Sequence, residues 1–152
     1  MKKAAITGHT SGLGAAYCGR LNAKGYETFG FSRSNGYDLR DYSRVSDMVQ
    51  RVQGFDLFVN NAKPDYAQSQ ILYRLIRSGF TGKILNIGSK ILDNDPHWSN
   101  LDLLEYYTQK TALMHAVKVL QPHSMGGIFL FNPEHTDDAD LVVDQSLDMI
   151  GS

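Results

Sequence analysis

A three-layer, doubly wound α/β fold, with a parallel sheet between two layers of helices, is the class this sequence predicts. Three observations predict it. Short apolar runs alternate with segments of helical periodicity along the whole chain. Two of those runs, Asp56-Leu57-Phe58-Val59 and Lys83-Ile84-Leu85-Asn86-Ile87-Gly88, are nearly continuous, as parallel strands covered on both faces require. The first run stops at three glycines, Gly8, Gly12 and Gly14, from which a helix-prone stretch sets out. Alternation of this kind calls for right-handed crossovers between parallel strands.

Taken in order, residues 3–7 read as the first strand and 12–24 as the first helix, closed by Gly25. Residues 27–32 form the second strand, bounded by Ser-Asn-Gly, and a short extended piece at 37–39 follows. Val45, Met48, Val49 and Val52 recur at helical spacing, and Gly54 ends that helix. A strand at 56–59 leads to a helix at 66–78, with Ile71, Leu72, Leu75 and Ile76 on one face. The strand at 83–88 is followed by a polar loop, 93–100, and a long helix, 101–120. Residues 127–131 make the last strand and 138–150 a terminal amphipathic helix. The count is about six strands in the order 3-2-1-4-5-6, with no linker and hence one domain over 1–152.

Composition narrows the function. A chain of 152 residues with 42% apolar and 20% charged residues is long enough to bury one core and has the balance of a soluble protein. A net charge of −1 provides no electrostatic footprint for nucleic acid or an anionic membrane. The single cysteine, Cys18, rules out an internal disulfide and suits a reducing, cytoplasmic setting. Met1-Lys2-Lys3 runs into a strand of about five residues, too short for a signal-peptide core or a membrane span.

A strand that turns sharply into a helix presents unpaired N–H groups and a positive dipole end, where a pyrophosphate sits. Glycines let the backbone approach it. The spacing here is G-x-x-x-G-x-G, which an ordinary βα turn also produces. Arg33 follows the second strand, 25 residues after Gly8, near where a dinucleotide fold selects its ribose. An arginine flanked by serines suits a 2′-phosphate, so NADP is favoured over NAD, although a surface arginine is common after a strand. Tyr106 and Lys110 are four apart and share a face of the long helix. An ammonium beside a phenol stabilises the phenolate, and lowering a phenol by about three pKa units takes roughly 4 kcal/mol. A phenol so tuned can protonate a carbonyl oxygen as hydride reaches its carbon, and Ser89, at a strand end, can orient that oxygen. Alone, the pair is better explained as an exposed helical couple; together with a phosphate turn and a serine after the strand at 83–88, the preference reverses. Asp93, Asp95 and His97 read as a solvated loop rather than metal ligands, and the five histidines lack zinc-ligand spacing, so no metal is expected.

In order along the chain stand Thr7-Gly8-His9-Thr10-Ser11-Gly12-Leu13-Gly14, Asp38-Leu39, Asn60-Asn61-Ala62, Ile84-Leu85-Asn86-Ile87-Gly88-Ser89 and Tyr106-Tyr107-Thr108-Gln109-Lys110. This series resembles the short-chain dehydrogenase/reductase family from the first strand to about Pro133. The resemblance implies a Rossmann fold, a nicotinamide cofactor and a Ser–Tyr–Lys site that interconverts carbonyls and alcohols. It implies that Gly8, Ser11, Gly12 and Leu13, with Gly14 completing the corner, surround the pyrophosphate and adenosine ribose. Arg33 then holds the 2′-phosphate, Asp38 and Leu39 flank the adenine, and Asn61 and Ala62 form the floor. Pro133 lies near the nicotinamide, Ser89 orients the substrate, Tyr106 is the acid/base, and Lys110 binds ribose and tunes Tyr106. A homo-oligomer, dimer or tetramer, is expected through the two central helices.

The departures carry their own expectations. Lys63 stands where the family has glycine, and no asparagine takes the place of its helical catalytic amide; Gln68 is the nearest, and no role is assigned to it. The 17-residue separation of Ser89 and Tyr106 is long, and most of the substrate lid is expected to be missing after Pro133, which weakens water exclusion. The leading expectation is an NADP-dependent oxidoreductase acting on a small carbonyl or alcohol. A dinucleotide-binding sensor without turnover is the alternative, and a nucleotide-sugar epimerase relative is less favoured.

Overall fold

The computed structural model describes residues 1–152 except Ser11, Asp95, His97 and 135–137. Five parallel strands form one sheet in the order β2-β1-β3-β4-β5: β1 (Lys3–Thr7), β2 (Glu27–Phe31), β3 (Leu57–Asn60), β4 (Lys83–Ile87) and β5 (Ile128–Phe131). Helices α1 (Gly12–Ala23), α2 (Tyr42–Arg51), α3 (Ala67–Arg77), α4 (Leu101–Leu120) and α5 (Ala139–Met149) connect or follow them. The doubly wound class expected from the sequence is the one observed.

Successive strand residues alternate between two cores, as the period of two dictates. Ala4, Ile6, Leu57, Val59, Leu85 and Ile87 face α1 and α5, packing with Tyr17, Leu21, Val143 and Leu147. Ala5, Phe58, Ile84 and Ile128 face α2, α3 and α4, meeting Met48, Ile71, Leu72, Leu75 and Leu113. Both faces are therefore covered, which is why these strands read as continuous apolar runs.

The sheet has five strands where the sequence suggests about six, because residues 37–39 stay out of it. Ser32 starts a single 3₁₀ turn, Arg33–Asn35, that ends at Gly36 in a left-handed conformation with φ 91°. Asn35 Nδ2 donates to the Gly30 carbonyl at 2.7 Å, and the turn swings Tyr37 back onto α2. The Tyr37 ring stands edge-on to Phe31 at 4.8 Å, and its hydroxyl donates to Asp47 at 2.7 Å. Side-chain anchoring has replaced strand pairing. With that segment removed, 3-2-1-4-5-6 becomes the observed order.

The carboxyl-terminal helix is tied to the amino-terminal one. Ser146 Oγ donates to the Val143 carbonyl at 3.1 Å, so the buried Tyr17 hydroxyl is the donor in its 2.6 Å bond to Ser146 Oγ. Arg20 and Asp144 add a half-exposed ion pair at 3.1 Å, and Lys24 Nζ donates to the Ser152 carbonyl at 2.9 Å. Among the described residues, no helix is long and apolar enough to cross a membrane.

Burial pushes the Tyr17 phenol up to about 12, against a lowering by its Ser146 bond. A phenol held neutral when folded stabilises the protein fully below its ordinary value of 10.0, and that share is lost as pH climbs to about 12. Ser146→Ala strands the Tyr17 hydroxyl without an acceptor and should cost about 2 kcal/mol, or a Tm loss of roughly 4–8 °C. Tyr17→Phe removes donor and desolvation together, so it should cost less and remove that alkaline loss. Thermal melts at neutral pH and pH 11 measure both, and the reverse ranking would refute the donor assignment.

Candidate functional site

The site begins at the turn after β1. Thr7 Oγ1 donates to the Val59 carbonyl at 3.2 Å and accepts from the backbone N–H groups of Asn61 and Ala62 at 2.9 and 3.0 Å. One buried hydroxyl thereby fixes the ends of β1 and β3 side by side. Gly8 turns with φ 65° and donates its N–H to the Phe31 carbonyl at 2.9 Å, joining the end of β2 as well. A Cβ on Gly14 would lie 1.8 Å from the Gly8 carbonyl oxygen, so α1 can start this close to the turn only with glycine there. At Gly12 the reverse holds: a Cβ would meet no protein atom within 4 Å. Gly12 and Leu13, at the start of α1, border an open cleft. Ser11 lies outside the described residues.

Two clefts meet at this corner. The first, of about 270 Å³, runs over the ends of β1 and β2 and is bounded by Gly8, Arg33, Asp38, Leu39, Arg40 and Ala62. The Arg40 backbone N–H, at 3.1 Å, and the Arg40 guanidinium, at 3.5 Å, hold the Asp38 carboxyl below the usual carboxylate range. Leu39 is buried beneath them.

The second cleft, of about 310 Å³, is bounded by Gly12, Leu13, Asn61, Ser89, Tyr106, Lys110 and Pro133. The glycine corner and the tyrosine–lysine pair, roughly a hundred positions apart in the chain, thus face one space. Beyond Ser89 and Tyr106 it adjoins a larger hollow of about 730 Å³, lined among others by Ile91, Trp98, Leu103 and Glu134. Asn100 starts α4 by accepting from Asp102 and Leu103 N–H at 2.9 and 3.2 Å, and so directs Tyr106 toward the cleft mouth. Tyr106 is 38% exposed and Lys110 only 6%. The Lys110 ammonium stands 5.6 Å from the Tyr106 ring centroid.

Lys110 Nζ donates to Gln68 Oε1 at 2.8 Å and to the Ile87 carbonyl at 3.0 Å. Gln68 Nε2 in turn donates to the carbonyls of Asn60 and Ile87, both at 2.8 Å. The charge is thus held by amide dipoles at the ends of β3 and β4. Burial lowers Lys110 to about 8, and the like charge of Lys63 adds to the lowering. Ser89 is held on both sides: its N–H donates to Asn132 Oδ1 at 3.1 Å, and its Oγ accepts from Ile91 N–H at 3.2 Å. That second bond uses an acceptor site and leaves the hydroxyl proton available to a ligand.

No protein-family model and no curated protein matches the chain. Solved structures do. The bulky-bulky ketone specific alcohol dehydrogenase from Comamonas testosteroni is 20% identical, matched over 99% of this chain and 83% of that one with a TM-score of 0.76. A metagenomic short-chain oxidoreductase in complex with NADP is 18% identical over 99% and 91%, with a TM-score of 0.76. An alcohol dehydrogenase from the archaeon Thermococcus sibiricus, complexed with 5-hydroxy-NADP, is 16% identical over 100% and 91%, with a TM-score of 0.78. The fold is that of the short-chain dehydrogenase/reductases.

Within that fold, three residues matter that the motifs did not single out for a role. Gln68 was only the nearest amide in sequence; its reach to Lys110 depends on α3 lying against the end of β4. Asn132 carries no motif, yet its Oδ1 lies 2.0 Å from where a Gly88 Cβ would stand and anchors Ser89. Lys63 borders both clefts. Gly14 packs against the Gly8 turn. Asp95 and His97 lie outside the described residues, and among the described ones no three His, Cys, Asp or Glu groups converge as metal ligands.

The Lys110 amine should titrate at about 8 instead of its ordinary 10.5. Being depressed, it favours unfolding below pH 8, and that penalty is relieved as pH rises toward 10.5. Gln68→Leu removes an acceptor for the charged form and should move the midpoint lower still. Titration of isotope-labelled lysine by NMR reads both, and a midpoint unmoved by Gln68→Leu would overturn the contact.

Proposed function

We propose that this chain is an NADP-dependent oxidoreductase that interconverts a small carbonyl and its alcohol, with Ser89, Tyr106 and Lys110 as its reactive set. One observation carries the reading: the glycine corner and that triad border the same cleft. The cleft also suits the cofactor sterically, since the space above Gly12 is free of protein atoms within 4 Å of where a side chain would begin. Support comes as well from neighbours of the same fold crystallised with NADP, 5-hydroxy-NADP and, in a 3-alpha-hydroxysteroid dehydrogenase from Pseudomonas, NADH.

On this reading residues 1–152 are one dinucleotide-binding domain. Gly8, Gly12 and Leu13 hold the diphosphate with the start of α1, Gly14 allowing that approach; Ser11 belongs with them by resemblance alone. Arg33 takes the 2′-phosphate, which favours NADP over NAD, while Asp38 and Leu39 flank the adenine. Asn61 and Ala62 form the floor and Pro133 borders the nicotinamide end. When bound, the nicotinamide supplies or accepts the hydride.

The protein's own residues handle the proton. The free Ser89 hydroxyl proton points the substrate oxygen at Tyr106. In reduction the Tyr106 O–H gives its proton to that oxygen as the oxygen gains charge. The resulting phenolate is stabilised by the Lys110 ammonium one helical turn away. In oxidation the same proton returns to Tyr106. Substrate enters from the larger hollow, whose Ile91, Trp98 and Leu103 offer apolar contact. The exposed Tyr73 on α3 and Val119 on α4 fit a homo-oligomer built on those helices, and sedimentation as a monomer at micromolar concentration would remove that part.

A second reading, dinucleotide binding without turnover, is favoured by one feature: the two hydrogen bonds of Lys110 go to Gln68 and Ile87. Activity separates the two. Tyr106→Phe should lower kcat/KM for NADPH-dependent carbonyl reduction by about a hundredfold or more while leaving NADPH affinity within a factor of a few. Undiminished turnover in that variant would refute the assignment of Tyr106. Tight NADPH binding with no oxidation across a broad carbonyl panel would leave the second reading.

A further inference from the structure

We propose that Lys63 is a diphosphate clamp, its ammonium set over the join between the two clefts to hold the charge linking the halves of the dinucleotide. This rests on the dinucleotide-binding reading and adds a residue to it.

The placement comes from the backbone. Asn61 and Ala62 are pinned to the Thr7 hydroxyl through their N–H groups, and Pro64 follows, its carbonyl accepting from Ala67 N–H at 2.9 Å. Lys63 is therefore carried on a short, anchored segment. Its side chain borders the cleft with Arg33 and also the cleft with Gly12 and Lys110. It is exposed, and among the described residues it joins none of the ion pairs, which are Arg20–Asp144, Arg40–Asp38 and Lys90–Asp93. Its charge is felt inside the second cleft, since it helps to lower Lys110.

Cations that repel one another across a gap are stabilised by an anion placed between them. Arg33 borders the first cleft, Lys110 the second and Lys63 both, and Gly12 and Leu13, where α1 starts, border the second with it. The anion that fits must reach from Arg33 to Lys110 and carry its charge at the centre. A dinucleotide does so through its diphosphate. A lysine at this point grips as a point charge and demands little geometry, which suits an exposed, flexible side chain.

Equilibrium binding of NADPH and of adenosine 2′-monophosphate, which carries no diphosphate, tests this with wild type, Lys63→Gly and Lys63→Arg at low and high salt. Lys63→Gly should weaken NADPH about tenfold and flatten its salt dependence, as expected for one lost charge-assisted contact. Lys63→Arg should restore most of the affinity, and adenosine 2′-monophosphate should bind all three alike. Equal NADPH affinity in wild type and Lys63→Gly overturns the clamp while leaving the dinucleotide reading in place. Equal losses for both nucleotides overturn it too, since Lys63 would then serve the 2′-phosphate. A folded wild type that binds neither nucleotide defeats the underlying reading, and the clamp with it.

Discussion

The contact between Gly14 and the Gly8 carbonyl constrains everything built around it. No side chain fits between them, so α1 starts hard against the turn that ends β1. That position puts Tyr17 and Leu21 onto the sheet, and it is Tyr17 that receives α5 through Ser146. It also leaves the start of α1 facing the space that Tyr106 enters from α4. A methyl group at Gly14 would push α1 outward, disturbing one core layer and the cleft together. Stability and the candidate site share one steric cause.

Lys110 illustrates how the sheet's polar end is organised. A buried ammonium normally asks for a carboxylate, yet here it is met by the Gln68 amide and the Ile87 carbonyl. Amide dipoles solvate the charge without cancelling it, so the cleft keeps its positive character, while burial and then the like charge of Lys63 lower Lys110 to about 8. Gln68 spends its own two donated bonds on the ends of β3 and β4, which locks it in place. Nearby, Asn60 Nδ2 donates to Asn86 Oδ1 and Asn86 Nδ2 to the Phe129 carbonyl, so a line of amides crosses β3, β4 and β5. The group proposed to tune a phenolate is thus itself held by neutral acceptors.

Much of this was legible in the residues. The near-continuous apolar runs of the strands, the helical spacing of Val45, Met48 and Val49, and the glycines at 25 and 54 placed the five strands and, the start of α2 apart, the five α-helices within a residue or two. The extended piece at 37–39 misled because three apolar and polar residues after a strand resemble another strand locally; what decides otherwise is the Asn35 and Tyr37 side-chain bonding, to partners five and ten positions away. Gln68 and Asn132 were opaque for a related reason. An amide side chain has no periodicity to betray it, and its partner is set by how helices and strands pack.

By itself the sequence determined the fold class, the glycine corner and the helical spacing of Tyr106 and Lys110, because each is a local pattern written within a few consecutive residues. Only the tertiary structure decided that the corner and the pair open on one cleft, that Gln68 holds Lys110, and that Lys63 stands where two clefts meet. Those are relations between chain segments up to a hundred positions apart, and they exist only once sheet order and helix packing have brought the segments together.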